Sequence, residues 1–181
     1  MDYSTSGVLV FPLSKEASQD TALAFSERNV TKLYLAMLRG HLSQNQLNVQ
    51  VPIGTDSRPE FTKLKMATPE AEYCVKPRYA ETTIKVLSRG YFQSDPVTKV
   101  LLTPLTGRRH QLRVHCHHIG HTIVGDYTYS DKTDTKPARM YLHAYKIKLP
   151  NAIEDLDINA GDPFEDMEDY KDIEVVHDCI S

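Results

Sequence analysis

The stretch TGRRHQLRVHCHHIGHTIVGDYTY, residues 106–129, is the densest concentration of chemistry-bearing side chains in the sequence. Its first half reads as a helix from Thr106 to Ile119, with Thr106 as a candidate cap and Gly120 as the residue that ends it. On such a helix Arg109 and Arg113 stand one turn apart and share a face. A helix start surrounded by cations suits phosphate: free N–H groups favour anions, and a guanidinium fork takes two oxygens at once. The same cluster also reads as a solvated basic helix paired with nearby acids, and the residues alone do not separate the two. Six of the eight histidines lie between His110 and His143. Adjacent ones (His115, His117, His118) point in different directions on a helix, and no CxxC or HExxH spacing accompanies them, so no metal centre is expected.

Working outward, Leu142 to Leu149 reads as a closing core strand, with Tyr145, Ile147 and Leu149 alternating against Lys146 and Lys148. Thr82 to Arg89 and Val97 to Pro104 read as two strands of a hairpin joined by a long turn across Gly90–Pro96. Residues 54–80 have weak periodicity and read as an extended connection or insertion. Gln46 to Pro52 is a short strand candidate. Thr31 to Arg39 carries apolar residues on both pleat faces, as a central strand does, and Gly40 ends it. Ser14 is placed to cap a helix from Lys15 to about Arg28, with Ala17, Thr21, Ala24 and Phe25 on one face and Asn29 at its end. Gly7 to Leu13 reads as a short buried strand. Mixed elements with short strand-to-strand links indicate an α+β domain rather than a regular parallel α/β fold.

The 181 residues accommodate one domain, residues 1–150, and a tail, residues 151–181. The net charge of −3 conceals an asymmetry. Residues 1–150 hold 20 Lys+Arg against 13 Asp+Glu, while residues 151–181 hold Lys171 against 11 acids. A basic body with an acidic tail suits a nucleic-acid binder, and equally a soluble domain with a solvated tail. The tail lacks a sustained apolar period and is expected to be disordered or loosely docked; covering the basic cleft as an RNA mimic is an alternative role. No apolar run is long enough to span a membrane and no apolar leader is present. Cys74, Cys116 and Cys179 are widely spaced and do not form a disulfide framework. An intracellular protein is therefore expected, with cytoplasm, nucleus and mitochondrion all open.

Four segments, in order, carry a resemblance. Asp2 to Gly7 (DYSTSG) is similar to Asp-x-x-Thr-Ser-Gly. Lys32 to Ala36 (KLYLA) is similar to Lys-x-Tyr-x-Ala. The stretch 106–129 is similar to Thr-Gly-Arg-x-His-Gln-(Ile/Leu)-Arg-x-His followed by Gly-His-Pro-Ile-x-Gly-Asp-x-x-Tyr, with Thr122 in place of the Pro. Arg139 to Ala144 (RMYLHA) is similar to Arg-x-x-Leu-His-Ala. Together these resemble the RluA-type RNA pseudouridine synthases. In that family the Asp follows His-Arg-Leu; here Met1 stands where the Leu is usual and the His-Arg pair is not in the sequence.

The resemblance implies a pseudouridine-synthase catalytic fold: a mixed, mostly antiparallel sheet flanked by helices around a basic cleft, here expected to lack its N-terminal strands. It implies isomerisation of uridine to pseudouridine in structured RNA (ribosomal, transfer or messenger) without cofactor or metal. By the same resemblance Asp2 is the catalytic carboxylate, Arg113 pairs with it, and Tyr34 stacks on the target base and takes part in proton transfer. Leu142 forms the apolar floor, while Arg108, Arg109 and His110 bind substrate. The implied partner is an RNA whose uridine is flipped out, the chain acting as a monomer away from membranes. A truncated chain of this kind is expected to be poorly active alone. A non-catalytic RNA-binding paralogue, or an inactive truncated isoform, is the alternative.

Overall fold

The computed structural model describes residues 2–61, 64–165, 167 and 169–177. Among these the elements are β1 (Ser6–Gly7), α1 (Lys15–Ser26), β2 (Thr31–Arg39), β3 (Gln46–Val49), β4 (Ile53–Asp56), β5 (Met66–Ala67), β6 (Cys74–Arg78), β7 (Thr82–Phe92), β8 (Asp95–Pro104), α2 (Gln111–His118), β9 (Leu142–Leu149), β10 (Leu156–Asn159) and β11 (Tyr170–Val175). The main sheet runs β1-β9-β2-β8-β7-β11, with β10 also pairing β9 and β3 also pairing β7. Every pairing in it is antiparallel except β1 with β9. The fold is α+β, as the element pattern indicated.

The pleat explains where the core sits. Alternate residues of β2 face opposite sides. Ala36 and Leu38 join Ile84, Val86, Val100 and Leu102 on one face, which Leu112 and Cys116 of α2 cover. Leu35 and Met37 join Leu87, Phe92 and Tyr145 on the other. Residues apolar on both sides are what a strand buried on both faces requires, and Thr31–Arg39 forms over the bounds the sequence predicts. Ser14 caps α1, its side chain accepting from the Ala17 N–H at 3.1 Å, and Ala24 packs with Val30 and Leu149. The helix stops at Ser26, where Arg28 adopts a left-handed φ of 61°, two residues short of the expected end.

Several expectations need correction. The run Gly7–Leu13 is not a buried strand: β1 pairs through Ser6 and Gly7 alone, and Leu9, Phe11 and Leu13 are exposed. The β7–β8 connection is not a long turn. Phe92 pairs with Asp95, and the two residues between, Gln93 and Ser94, both take positive φ (49° and 71°), the geometry of a tight hairpin turn matched to strand twist. Gly90 lies inside β7 because β11 passes close by; a Cβ there would sit 2.2 Å from the Lys171 carbonyl oxygen. Residues 54–80 are not merely extended but build a second sheet, β5-β4-β6.

The acidic segment departs furthest from expectation. Its described part supplies β10 and β11, and Phe164 is buried in the sheet face opposite α2. Sparse apolar residues suffice because the strands borrow backbone hydrogen bonds from β9 and β7. Met1 and Cys179 lie outside the described residues; Cys74 and Cys116 are free thiols. Among the described residues no helix is long and apolar enough to cross a membrane.

Candidate active site

The face carrying α2 opens at one end into a cleft of about 500 Å³, within the range that encloses a small organic molecule. Parts of the chain far apart in sequence meet there, among them Phe25 of α1 and Pro104 of β8. The loop and first turn around α2 bring Arg108, Arg109, His110, Gln111 and Arg113; β2 brings Lys32 and Tyr34; β9 brings Leu142; the turn before β1 brings Asp2.

Asp2 is tied down from its C-terminal side. The Thr5 N–H donates to the Asp2 carbonyl at 3.0 Å, closing a turn, and Ser6 and Gly7 then pair in parallel with His143 and Ala144. Gly7 takes φ +101°, and a Cβ on it would lie 2.2 Å from the Ala144 carbonyl oxygen, so glycine is required for β1 to approach β9. Ser6 is further held by His143 Nδ1 at 2.8 Å and by the Arg139 guanidinium. On β2, the register against β9 slips after Leu33, so that Tyr34 pairs with Ala144. This bulge aims Tyr34 and sets it on the same face as Ala36, over Leu142. Burial, and then the Asp2 charge, raise the Tyr34 phenol above its ordinary pKa. Burial lowers that of Lys32.

The loop before α2 corrects two expectations. The helix begins at Gln111, not Thr106, because His110 stands in left-handed conformation (φ 54°, ψ 18°) immediately before it. Arg109 is therefore in the loop and does not share a helix face with Arg113, although both line the cleft. Thr106 does not cap: its hydroxyl donates to Gln111 Oε1 at 2.7 Å and accepts from the Glu81 N–H at 3.0 Å. Gln111 is the latch the sequence reading overlooked. Its oxygen also accepts from the Arg108 N–H, and its amide nitrogen donates to the Glu81 carbonyl and the Thr82 hydroxyl. Arg108 Nε donates to the Tyr79 carbonyl at 2.9 Å, which orients its side chain at the rim.

Arg113 is the centre of charge. Its Nε and Nη2 each lie 2.7 Å from an oxygen of Asp126, a two-pronged pair buried on both sides. The expected pairing with Asp2 is a single longer contact, Nη1 to Oδ2 at 3.5 Å. Asp126 thus holds the fork and Asp2 meets its remaining edge, with the Asp2 side chain still one-quarter exposed to the cleft. Asp126 also accepts from the Thr128 and Tyr129 N–H groups at 3.1 Å. Tyr129 places its ring 5.0 Å from the Arg113 guanidinium carbon. Asp126 and Tyr129 were legible in the motif that ends the stretch 106–129 but had no assigned part. Burial is the main cause that lowers the His110 pKa. No group of three or more potential metal-ligating side chains converges among the described residues.

Known proteins resemble this chain in sequence and in fold. The family described as RNA pseudouridylate synthase matches residues 1–118. RNA pseudouridylate synthase domain-containing protein 1 of Danio rerio is 47% identical over 164 residues, covering 91% of this chain and 56% of that protein. The dual-specificity RNA pseudouridine synthase RluA of Yersinia pestis is 36% identical over 148 residues, covering 81% of this chain and 67% of that protein. The solved structure of human RNA pseudouridylate synthase domain containing 1 superposes with a TM-score of 0.92 at 38% identity, covering 98% of this chain and 74% of that one. The chain spans about half the length of the first curated relatives it matches, 56% and 53%.

Proposed function

The chain belongs to the RNA pseudouridylate synthase family, and on that premise we propose that it isomerises uridine to pseudouridine within an RNA strand. The observation that carries the reading is the convergence of Asp2, Tyr34, Arg113 and Leu142, from four separate parts of the chain, on one cleft.

The reaction breaks the bond between uracil N1 and the sugar C1′, turns the base, and joins C5 to C1′; N1 gains a proton and C5 loses one. No electrons leave or enter, so the demands are charge stabilisation, positioning and proton transfer. In this reading the Asp2 carboxylate meets the positively charging C1′, by attack or by assisting a glycal intermediate. Arg113 aims that carboxylate, and the fork stays fixed because Asp126 grips it from behind. Tyr34 stacks on the base and stands where a C5 proton must leave. Its raised pKa keeps the phenol neutral, able to relay a proton but not to repel the carboxylate. Leu142 supplies a dry floor, which strengthens the Asp2–Arg113 attraction. Arg108, Arg109 and His110 line the side on which phosphates of a flipped nucleotide would lie, since a base inside a stack is out of reach of the carboxylate.

The test is incubation of the chain with uridine-containing transcripts, followed by mapping of pseudouridine through chemical stops to reverse transcription. Product that disappears in Asp2→Ala supports the reading. RNA binding without product identifies a non-catalytic RNA-binding protein instead.

A further inference from the structure

Behind the cleft lies Tyr129, which the proposed reaction leaves without a part. The Met66 backbone N–H, in β5 of the small sheet, donates to the Tyr129 hydroxyl at 2.9 Å. That hydroxyl is 3.0 Å from His110 Nδ1. The two rings meet edge-on, with centroids 5.8 Å apart. The far nitrogen of the same imidazole, Nε2, is 3.9 Å from Asp2 Oδ2.

The cost of leaving a buried phenol proton unpaired sets the direction of this chain. A phenol has one proton and accepts through its lone pairs. The amide of Met66 can only donate, so it occupies a lone pair. Nδ1–H could donate to the second lone pair only by leaving the phenol's own proton without an acceptor, so that proton takes His110 Nδ1 as its partner. A ring nitrogen that accepts is unprotonated, which in a neutral imidazole places the proton on the other nitrogen. We infer that Tyr129 is a positioning residue that holds His110 as the Nε2–H tautomer, so that the ring turns an N–H, not a lone pair, toward the Asp2 carboxylate 3.9 Å away. Arg113 Nη1 addresses the same oxygen, Oδ2. The His110 contact, at 3.9 Å, is an electrostatic one that a small closing movement would turn into a hydrogen bond. That this orientation matters to turnover rests on Asp2 being the reacting carboxylate.

Two further observations support the assignment. His110 holds a left-handed backbone (φ 54°), a strained state for a side-chain-bearing residue that persists where the surroundings over-determine it; the Tyr129 hydrogen bond is one such constraint. The charged groups acting on the ring are Asp2 and Asp126 on one side of the balance and Arg113 and Arg109 on the other, with burial the largest influence and favouring the neutral form. Burial likewise keeps the Tyr129 phenol protonated and therefore a donor.

The experiment uses the full chain labelled with ¹⁵N-histidine, with long-range ¹H–¹⁵N correlation near neutral pH and His110→Gln to assign the resonance. The expected wild-type pattern is Nε2–H. In Tyr129→Phe, which keeps the ring beneath Arg113, the expected pattern is a mixture of tautomers. His115 is the internal reference: its Nε2 contacts the Val51 carbonyl and its Nδ1 the Thr82 hydroxyl, and its signals stay fixed if the fold does. Nδ1–H in the wild type overturns the inference on its own, whatever the variant does. Nε2–H unchanged in Tyr129→Phe overturns the role of Tyr129. In turnover, Tyr129→Phe is expected to lose up to about tenfold in kcat with little change in KM, the scale of one hydrogen bond between neutral groups. The tautomer is read without RNA, so a chain that makes no pseudouridine removes the link to turnover and leaves the tautomer result standing.

Discussion

Asp126→Asn isolates the pair on which the site's geometry depends. The wild-type carboxylate accepts four hydrogen bonds, two from Arg113 at 2.7 Å and two from the Thr128 and Tyr129 N–H groups at 3.1 Å. An Asn oxygen can keep the backbone donors by standing at Oδ1. Its NH₂ group then faces the Arg113 Nε–H, donor against donor, and the guanidinium loses its buried counter-charge. Breaking a buried ion pair by changing one partner costs about 3–5 kcal/mol. The long contact to Asp2 offsets part of this, so about 3 kcal/mol is expected. For a chain of this size each kcal/mol moves Tm by roughly 2–4 °C, giving a fall of roughly 6–12 °C. Thermal unfolding followed by circular dichroism measures it. The fall is expected at low and high salt alike, because a buried pair is weakly screened. A Tm within about 2 °C of wild type would refute the claim that Asp126, rather than Asp2, is the main anchor of Arg113.

Gly7→Ala is expected to disrupt the site before the fold. The added methyl meets the Ala144 carbonyl at 2.2 Å in a φ of +101°, and such strained positions cost about 1–3 kcal/mol; β1 shifts from β9 and carries Asp2 with it, so turnover falls more than Tm, and unchanged turnover contradicts this. Phe164→Ala empties a fully buried position and is expected to cost about 3–5 kcal/mol by urea unfolding; a loss under 1 kcal/mol would mean the acidic segment is not part of the core. Stability is expected to fall as pH drops below about 6.5. Burial holds His115 below its ordinary pKa in the folded chain, so the unfolded chain binds the proton first and gains up to about 1.4 kcal/mol per pH unit from each such histidine. His110 and His143 act in the same direction. Urea midpoints equal at pH values either side of that point would exclude this. Tyr34→Phe is expected to keep RNA affinity while Tyr34→Ala loses about 1–3 kcal/mol of it, the scale of one base–aromatic stack, as read by filter binding; equal losses would remove stacking from its role.

The elements legible in the sequence were those whose local signals agree with their tertiary setting. β2 and β9 formed over their expected bounds because their apolar patterns match the pleat, and Ser14 capped its helix. The failures share a physical origin. The start of α2 was placed too early because Thr106 looks like a cap, whereas Gln111, five residues later, captures its hydroxyl, and His110 takes a conformation no propensity suggests. β10 and β11 were missed because edge strands draw stability from the neighbour's backbone, which leaves little trace in their own residues. Of the site, the stretch 106–129 and the residues Asp2, Tyr34 and Leu142 were legible through ordered motifs, and the cleft collects residues 106–113 of that stretch with the other three. What spacing could not reveal is which carboxylate holds Arg113. Asp126 and Asp2 are separated from it by 13 and 111 positions, and only the folded register ranks the two.

The central claim is that the Asp2 carboxylate performs the chemistry. Its most direct test is tritium release from RNA labelled at uracil C5, comparing the chain with Asp2→Asn, a substitution that preserves shape and removes charge. The account predicts release, with matching pseudouridine, from the unaltered chain, and none from a variant that melts at the same temperature. Equal release from both, or none from either, contradicts it.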